Sequence, residues 1–169
     1  MKPAPLHVRW LGRTRYRDAY ALQHALSQRG PDNWLLCQEH EPTYTMGVRT
    51  DPANILVDPA TVGADLVRAD RGGDVTFHGP GQLTAYPVLT LPGRGGGDKP
   101  DTVAYVRTVE QLVIDTLADL GLPGATRLDD YPGVWVAPEG ERPRKIAAIG
   151  VRLVRNRTLH GVALNVHPD

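Results

Sequence analysis

Apolar residues recur along this chain with two different periods. Leu6 to Leu11 alternates loosely, which predicts a strand, and Tyr16, Ala19, Leu22 and Leu26 then follow at helical spacing until Gly30-Pro31 stops them. Trp34 to Glu39 predicts a short buried strand that His40-Glu41-Pro42-Thr43-Tyr44-Thr45-Met46-Gly47 continues through a proline break, giving a β-α-β opening. Pro52, Pro59 and Gly63 predict short turns or a one-turn helix within Thr50 to Ala64, followed by a strand near Leu66 to Ala69. Leu83 to Thr90 predicts another strand. The four glycines and two prolines of Leu91 to Pro100 predict a mobile loop.

Asp101 is placed to cap the longest helix, with an apolar stripe of Val103, Val106, Val113, Leu117 and Leu120 ending at Gly121. That helix reads as core architecture without chemistry. Gly133 to Ala137, Lys145 to Val154 and Thr158 to Val166 predict three further strands, the last two joined by a turn at Arg155-Asn156-Arg157. Strands outnumber helices and come partly in hairpins, so the expected class is α+β, with a mixed, mostly antiparallel sheet and two main helices. Repeats and dividing linkers are absent, and residues 1–169 read as a single domain.

Composition narrows the function. With 41% hydrophobic and 22% charged residues the chain is ordinary for a soluble globular protein, and a net charge of zero argues against a nucleic-acid partner. No apolar run is long enough for a membrane span and Met1 to Pro5 does not resemble a signal peptide, so a cytoplasmic location is expected. The single cysteine, Cys37, excludes an intrachain disulfide and a multi-cysteine zinc site, and its apolar surroundings mark it as a small hydrophobe. Of nineteen lysines and arginines only Lys2, Lys99 and Lys145 are lysine, which makes Lys145 conspicuous.

The densest concentration of special residues is Arg71-Gly72-Gly73-Asp74-Val75-Thr76-Phe77-His78-Gly79-Pro80-Gly81-Gln82. A simple turn needs two or three such residues, whereas here they extend over a dozen positions, as in a backbone that turns sharply against a ligand. No Gly-Lys-Ser/Thr follows, so it is not a P-loop, and it lacks the dinucleotide Gly-x-Gly-x-x-Gly.

Together with Lys145-Ile146-Ala147-Ala148-Ile149-Gly150-Val151, with Leu159-His160-Gly161-Val162-Ala163-Leu164-Asn165-Val166 and with the weaker Glu39 to Gly47 segment, this run resembles the lipoyl(octanoyl) transferase family. That family shares its fold with lipoate- and biotin-protein ligases. The resemblance implies transfer of an octanoyl (or lipoyl) group from acyl carrier protein, through an enzyme cysteine thioester, to a lysine of a lipoyl domain in 2-oxoacid dehydrogenases or the glycine cleavage H protein, with no cofactor and no metal. It makes Lys145 the catalytic residue that favours the thiolate or takes its proton. It also implies an acyl pocket with three walls: Arg71, Gly72, Gly73, Asp74, Val75, Thr76, Phe77 and His78; Ala148, Ile149 and Gly150; and Gly161, Val162 and Ala163. His78 and nearby backbone N–H groups are candidates to hold the thioester carbonyl, and His160 is a candidate either for similar work or for a structural hydrogen bond between strands.

The family's nucleophile lies in a Pro-Cys-Gly segment shortly after its Asn-x-x-x-Asp region, which here is Asn165-Val166-His167-Pro168-Asp169. Cys37 aligns with an interior position of the second strand and does not substitute. The expectation is a polypeptide that continues past Asp169, with a truncated, acyl-binding form as the alternative. An ATP-dependent lipoate or biotin ligase on the same fold is the enzymatic rival, although His78-Gly79-Pro80-Gly81-Gln82 follows the transferase pattern. A metal-hydrolase reading of His40, His78, His160 and His167 finds no pair at helical ligand spacing. Arg49, Arg142 and Arg144 are candidate docking charges for an acidic carrier protein.

Overall fold

A computed structural model describes residues 4–97, 99–136 and 142–168. It contains ten strands and two α-helices in the order β1 (Leu6–Thr14), α1 (Tyr16–Gln28), β2 (Asn33–His40), β3 (Thr43–Met46), β4 (Asp65–Arg68), β5 (Val75–His78), β6 (Gln82–Val88), α2 (Thr102–Asp119), β7 (Thr126–Leu128), β8 (Tyr131–Val136), β9 (Arg144–Val154) and β10 (Arg157–Asn165). Seven strands form one sheet in the order β1-β2-β6-β10-β9-β8-β7, parallel only between β1 and β2. The other three form a small sheet, β4-β3-β5, with one parallel and one antiparallel pairing. The class is therefore α+β with a mixed, mostly antiparallel sheet and two main helices, as the pattern predicts. Among the described residues no helix is long and apolar enough to cross a membrane.

The two helices cover opposite faces of the large sheet, because successive strand residues point to opposite sides. Leu36 and Tyr86 are register partners and pack with Tyr16, Ala19 and Leu26 of α1. Ala147 and Leu164, also partners, face the other way and pack with Val113 and Leu117 of α2.

Three predicted elements differ in detail. The segment through Pro42 does not prolong β2: Glu41 gives its N–H to the Thr14 carbonyl at 3.1 Å, Pro42 has none to give, and the chain passes to the second sheet, where the Pro42 carbonyl accepts from Asp65 at 2.9 Å. The buried face of α2 is Tyr105, Val109, Val113 and Leu117, with Glu110 beside it, whereas Val103 and Leu120 are 71% and 77% exposed. Its apolar residues outnumber one face, and tertiary packing selects the stripe that contains a tyrosine. The cap is as predicted, with Asp101 Oδ1 accepting the Ala104 N–H at 3.0 Å and Gly121 at φ +88° closing the helix.

The strand predicted from Gly133 begins earlier, at Tyr131, as the return limb of a hairpin from the three-residue β7. Asp130 takes the left-handed conformation in that turn, a role a short polar side chain tolerates. The predicted end of this strand at Ala137 lies outside the described residues. Val75 to His78 is likewise a strand of its own within the glycine-rich run. Leu91 to Pro100 contains a 3-10 turn at Arg94–Gly96, where Arg94 bonds the Lys99 carbonyl at 2.8 Å.

Candidate active site

The glycine-rich run reaches its position because β9 is longer than its neighbour. β8 pairs only with the start of β9, and Gly72 then donates to the Val151 carbonyl at 3.0 Å along the edge that β8 leaves open. Gly150 permits this approach, since a Cβ there would lie 2.9 Å from the Gly72 carbonyl oxygen and 3.1 Å from Arg71 Cδ. Between this run, β9 and the first half of α2 lies a cleft of about 590 Å³. Arg71, Gly72, Gly73, Asp74, Val75, Thr76, Lys145, Ala148, Ile149 and Gly150 all line it.

Behind the cleft is a narrow inner cavity of about 20 Å³, room for about one water. Arg71, Thr76, Ala148 and Gly150 border both spaces, and His78, Gly161, Val162 and Ala163 border the inner one alone. Phe77 borders neither. It is 42% exposed and packs against Tyr44, with ring centroids 5.0 Å apart, because strand alternation turns it away from Thr76 and His78.

Arg71 is only 6% exposed, yet its hydrogen bonds go to neutral acceptors. The Thr45 carbonyl, the Thr45 hydroxyl and the Gly72 carbonyl accept its N–H groups at 2.7 to 3.2 Å. Burial lowers its pKa, but a guanidinium stays protonated in proteins, so the inner wall of the cleft carries a positive charge.

The tautomer of His78 follows from its neighbours. Gln82 donates its side-chain amide to the Phe77 carbonyl at 3.1 Å and to Asn165 Oδ1 at 3.0 Å, so its Oε1 is the acceptor that faces His78 Nδ1 at 2.7 Å. Nδ1 therefore carries the hydrogen. Burial, reinforced by His40, holds the pKa down at about 3, and the neutral ring is left with an accepting Nε2 that faces the Thr45 hydroxyl at 3.3 Å. In this state His78 has no N–H to offer a carbonyl in the cleft.

His160 is also committed. Its backbone N–H goes to Gln23 Oε1 at 2.6 Å, which orients the Gln23 amide as donor to Nδ1 at 3.3 Å and leaves Nε2–H to bond Asp70 Oδ1 at 2.7 Å. Burial pushes its pKa down to about 4. These bonds run from β10 to α1 and to the start of the glycine-rich run, not from strand to strand. Burial pulls the Asp70 carboxyl up, but the His160 bond and charge, Arg152 and His24 more than offset this and leave its pKa lowered.

His24, Asp70 and His160 place ligand atoms within 4.8 Å of one another. That donor set does not fit a cation, because the nitrogen of His160 that faces Asp70 holds the proton and Arg152 already pairs with Asp70.

Lys145 lies at the β8 side of the cleft with Nζ 4.8 Å from the centre of the Trp135 ring. Burial lowers its pKa, which raises the fraction available as a neutral base. Cys37 is elsewhere: through Ala85 and Val162 it lies three strand spacings, roughly 14 Å, from Ile149, and Lys145 is four residues further along β9. Burial raises the Cys37 pKa, so nothing about it favours a thiolate.

Several lining residues carry no motif of their own. Tyr16, Thr84 and Tyr86 border the inner cavity, and Thr102, Val106, Arg107 and Glu110 of α2 border the outer cleft. Glu110 is 2% exposed, and its helical spacing with the apolar Val106, Val113 and Leu117 is the one available sign of it.

Comparison with known proteins gives the family. Residues 15–169 match the family model described as the lipoyl protein ligase A/B catalytic domain. Proteins named octanoyltransferase are 45% identical in Thermobifida fusca, over 95% of this chain and 68% of that protein, and 43% identical in Mycobacterium leprae, over 99% and 70%. The relative from Corynebacterium efficiens is 42% identical over 95% of this chain and 62% of its own length, so the chain spans about two thirds of the proteins it matches. Among solved structures, lipoate-protein ligase A bound with ATP superposes with a TM-score of 0.71 at 22% identity, covering 98% of this chain and 68% of that one. A bi-partite lipoate protein ligase from Thermoplasma acidophilum gives 0.70 at 21% identity, covering 100% and 63%. These two likenesses show the fold.

Proposed function

This chain belongs to the lipoyl protein ligase A/B catalytic-domain family, and on that premise we propose that it transfers an octanoyl group from acyl carrier protein to a lysine of a lipoyl domain. The observation that carries the proposal is Lys145, its stem against Gly133 and its pKa lowered by desolvation, on the wall of a cleft bordered by Ala148, Ile149 and Gly150. The relatives that support the transfer over ligation are named octanoyltransferase at 41% to 46% identity.

In the proposed reaction a cysteine thiolate attacks the carrier thioester carbonyl, the carrier thiolate leaves with a proton, and an octanoyl-enzyme thioester remains. The amine of the acceptor lysine then attacks that carbonyl, loses a proton and expels the enzyme thiolate. Lys145 serves both halves, taking the cysteine proton first and stabilising the thiolate by its charge afterwards. We place the thiol in the Pro-Cys-Gly segment expected after Asp169, near the end of β10, where Asn165 already donates to the Lys145 carbonyl at 3.4 Å. The tail of the acyl group lies in the cleft along the small residues of β9, gaining about 0.8 kcal/mol per buried methylene. The backbone N–H groups around the glycine-rich run take the role of carbonyl donors, since His78 keeps its own hydrogen on Gln82.

The test is incubation of the full-length protein with octanoyl-acyl carrier protein, followed by intact mass and hydroxylamine treatment. A labile octanoyl adduct in the wild type and its loss in Lys145→Ala is the expected result. No adduct, or full activity in Lys145→Ala, would falsify the proposal. Release of pyrophosphate with octanoate and ATP would instead identify a ligase.

A further inference from the structure

α2 reads from its sequence as a packing element, yet it carries the buried carboxylate of Glu110, whose side chain is 3% exposed. Three elements donate to it. Arg107 of its own helix and Arg127 of β7 reach Oε2 at 3.3 and 3.0 Å, and the backbone N–H of Gly133 in β8 reaches Oε1 at 3.1 Å. Arg127 is fastened further by the Arg107 carbonyl at 3.0 Å and Gln111 Oε1 at 2.8 Å.

Gly133 is where this anchorage meets the cleft. Its φ of +124° lies where L side chains are rarely found, and a Cβ there would sit 2.5 Å from the Ala147 carbonyl oxygen and 3.4 and 3.5 Å from Lys145 Cε and Cδ. The stem of Lys145 therefore lies directly on the Gly133 backbone. The β8–β9 register shifts next to this point, between Val134 and Trp135, and Trp135 is both the register partner of Lys145 and the ring beneath its ammonium.

We propose that Glu110 is a positioning residue: by holding the Gly133 N–H and the Arg127 fork together, it fixes the β7–β8 hairpin as the bed on which the Lys145 side chain points into the cleft. The carboxylate touches no reacting atom. Its four lone-pair sites accept from two charged donors and one backbone donor, and no neutral amide reproduces that set: in Glu110→Gln either the arginines or Gly133 meet an N–H where an acceptor was. The catalytic importance of Lys145 rests on the function proposed above, whereas its orientation by Glu110 does not.

The experiment reads orientation directly. Residues 1–169 hold lysines only at positions 2, 99 and 145, so reductive methylation of the full-length protein with ¹³C-formaldehyde labels few sites among them, and Lys145→Arg identifies the Lys145 resonance by its disappearance. In the wild type that resonance should be displaced by the Trp135 ring from that of the exposed Lys99. In Glu110→Gln it should move to the position of Lys99 while far-UV circular dichroism is unchanged, and kcat for octanoyl transfer should fall about tenfold with KM unchanged. If Glu110→Gln does not fold, Arg127→Lys, which keeps the charge but loses the fork, should give a smaller movement in the same direction. An unmoved Lys145 resonance in whichever of these variants folds overturns the proposal, even where octanoyl transfer is found. Absence of transfer by the wild-type protein would instead overturn the assigned activity and leave the resonance test intact.

Discussion

The Thr45 hydroxyl holds the Arg71 guanidinium from two sides, 2.7 Å from a terminal nitrogen and 3.2 Å from Nε, in a place where no carboxylate among the described residues forms an ion pair with it. With both lone pairs so used, Thr45 has its hydrogen left for the Thr76 carbonyl or His78 Nε2, each at 3.3 Å. Thr45→Val keeps the shape of this fully buried residue and removes every one of these bonds. Leaving charged donors unpaired should cost about 1 to 3 kcal/mol, which for a domain of this size is a Tm lower by several degrees. Thermal unfolding of Thr45→Val beside Thr45→Ser, which keeps the hydroxyl, checks this, and equal Tm values in the two would refute it.

Acid should unfold the protein early. His40, His78 and His160 are held by burial at about 4, 3 and 4, below the ordinary histidine value near 6.5. Above pH 6.5 the rings are neutral in both states. As pH falls below that, the unfolded chain takes up protons that the folded protein refuses, so stability is lost between about pH 6.5 and pH 4, by up to about 4 kcal/mol per pH unit if all three contribute. Tm measured in half-unit steps from pH 7.5 to 4.5 should fall steeply below 6, and a flat profile would show that the rings are not buried neutral.

Ala148 stands where the cleft narrows into the inner cavity and borders both. Ala148→Leu should close that passage and raise KM for an octanoyl substrate about tenfold or more, while a butyryl substrate, whose tail stops short, is affected little. Equal effects on the two substrates would place the tail elsewhere.

Cys37 should prove dispensable. Cys37→Ala removes a half-buried thiol far from Lys145, so octanoyl transfer by the full-length protein should be unchanged within twofold, and in the wild type the Cys37 thiol should react slowly with Ellman's reagent at pH 7. A loss of the acyl adduct in Cys37→Ala would overturn the placement of the nucleophile.

Sequence pattern gives α1, β2, β6, α2 and the β9–β10 hairpin because each is a local statement: a period, a cap, a turn. It misses the departure of Thr43–Met46 into a second sheet, since Pro42 announces a break but not where the chain goes next. The cleft was legible through its glycines, whose small size is a local property, and through Lys145 as one of few lysines. The family resemblance puts Phe77 in the pocket with its neighbours, and only the alternation of β5 shows that it faces the other way. The roles of Gln82, Thr45 and Glu110 depend on partners 23 to 83 residues away on other elements, and no pattern along the chain carries them.

The open edge of β9 has a consequence for how the cleft is used. Past Ala147 this strand would present unpaired backbone groups to solvent, a template for pairing with another chain, and the bond from Gly72 to Val151 is what occupies it. The glycine-rich run is thus at once a wall of the cleft and the guard of a sheet margin. Prying it away would expose that margin, so the cleft keeps its β9 wall and the sheet keeps its closed edge only together.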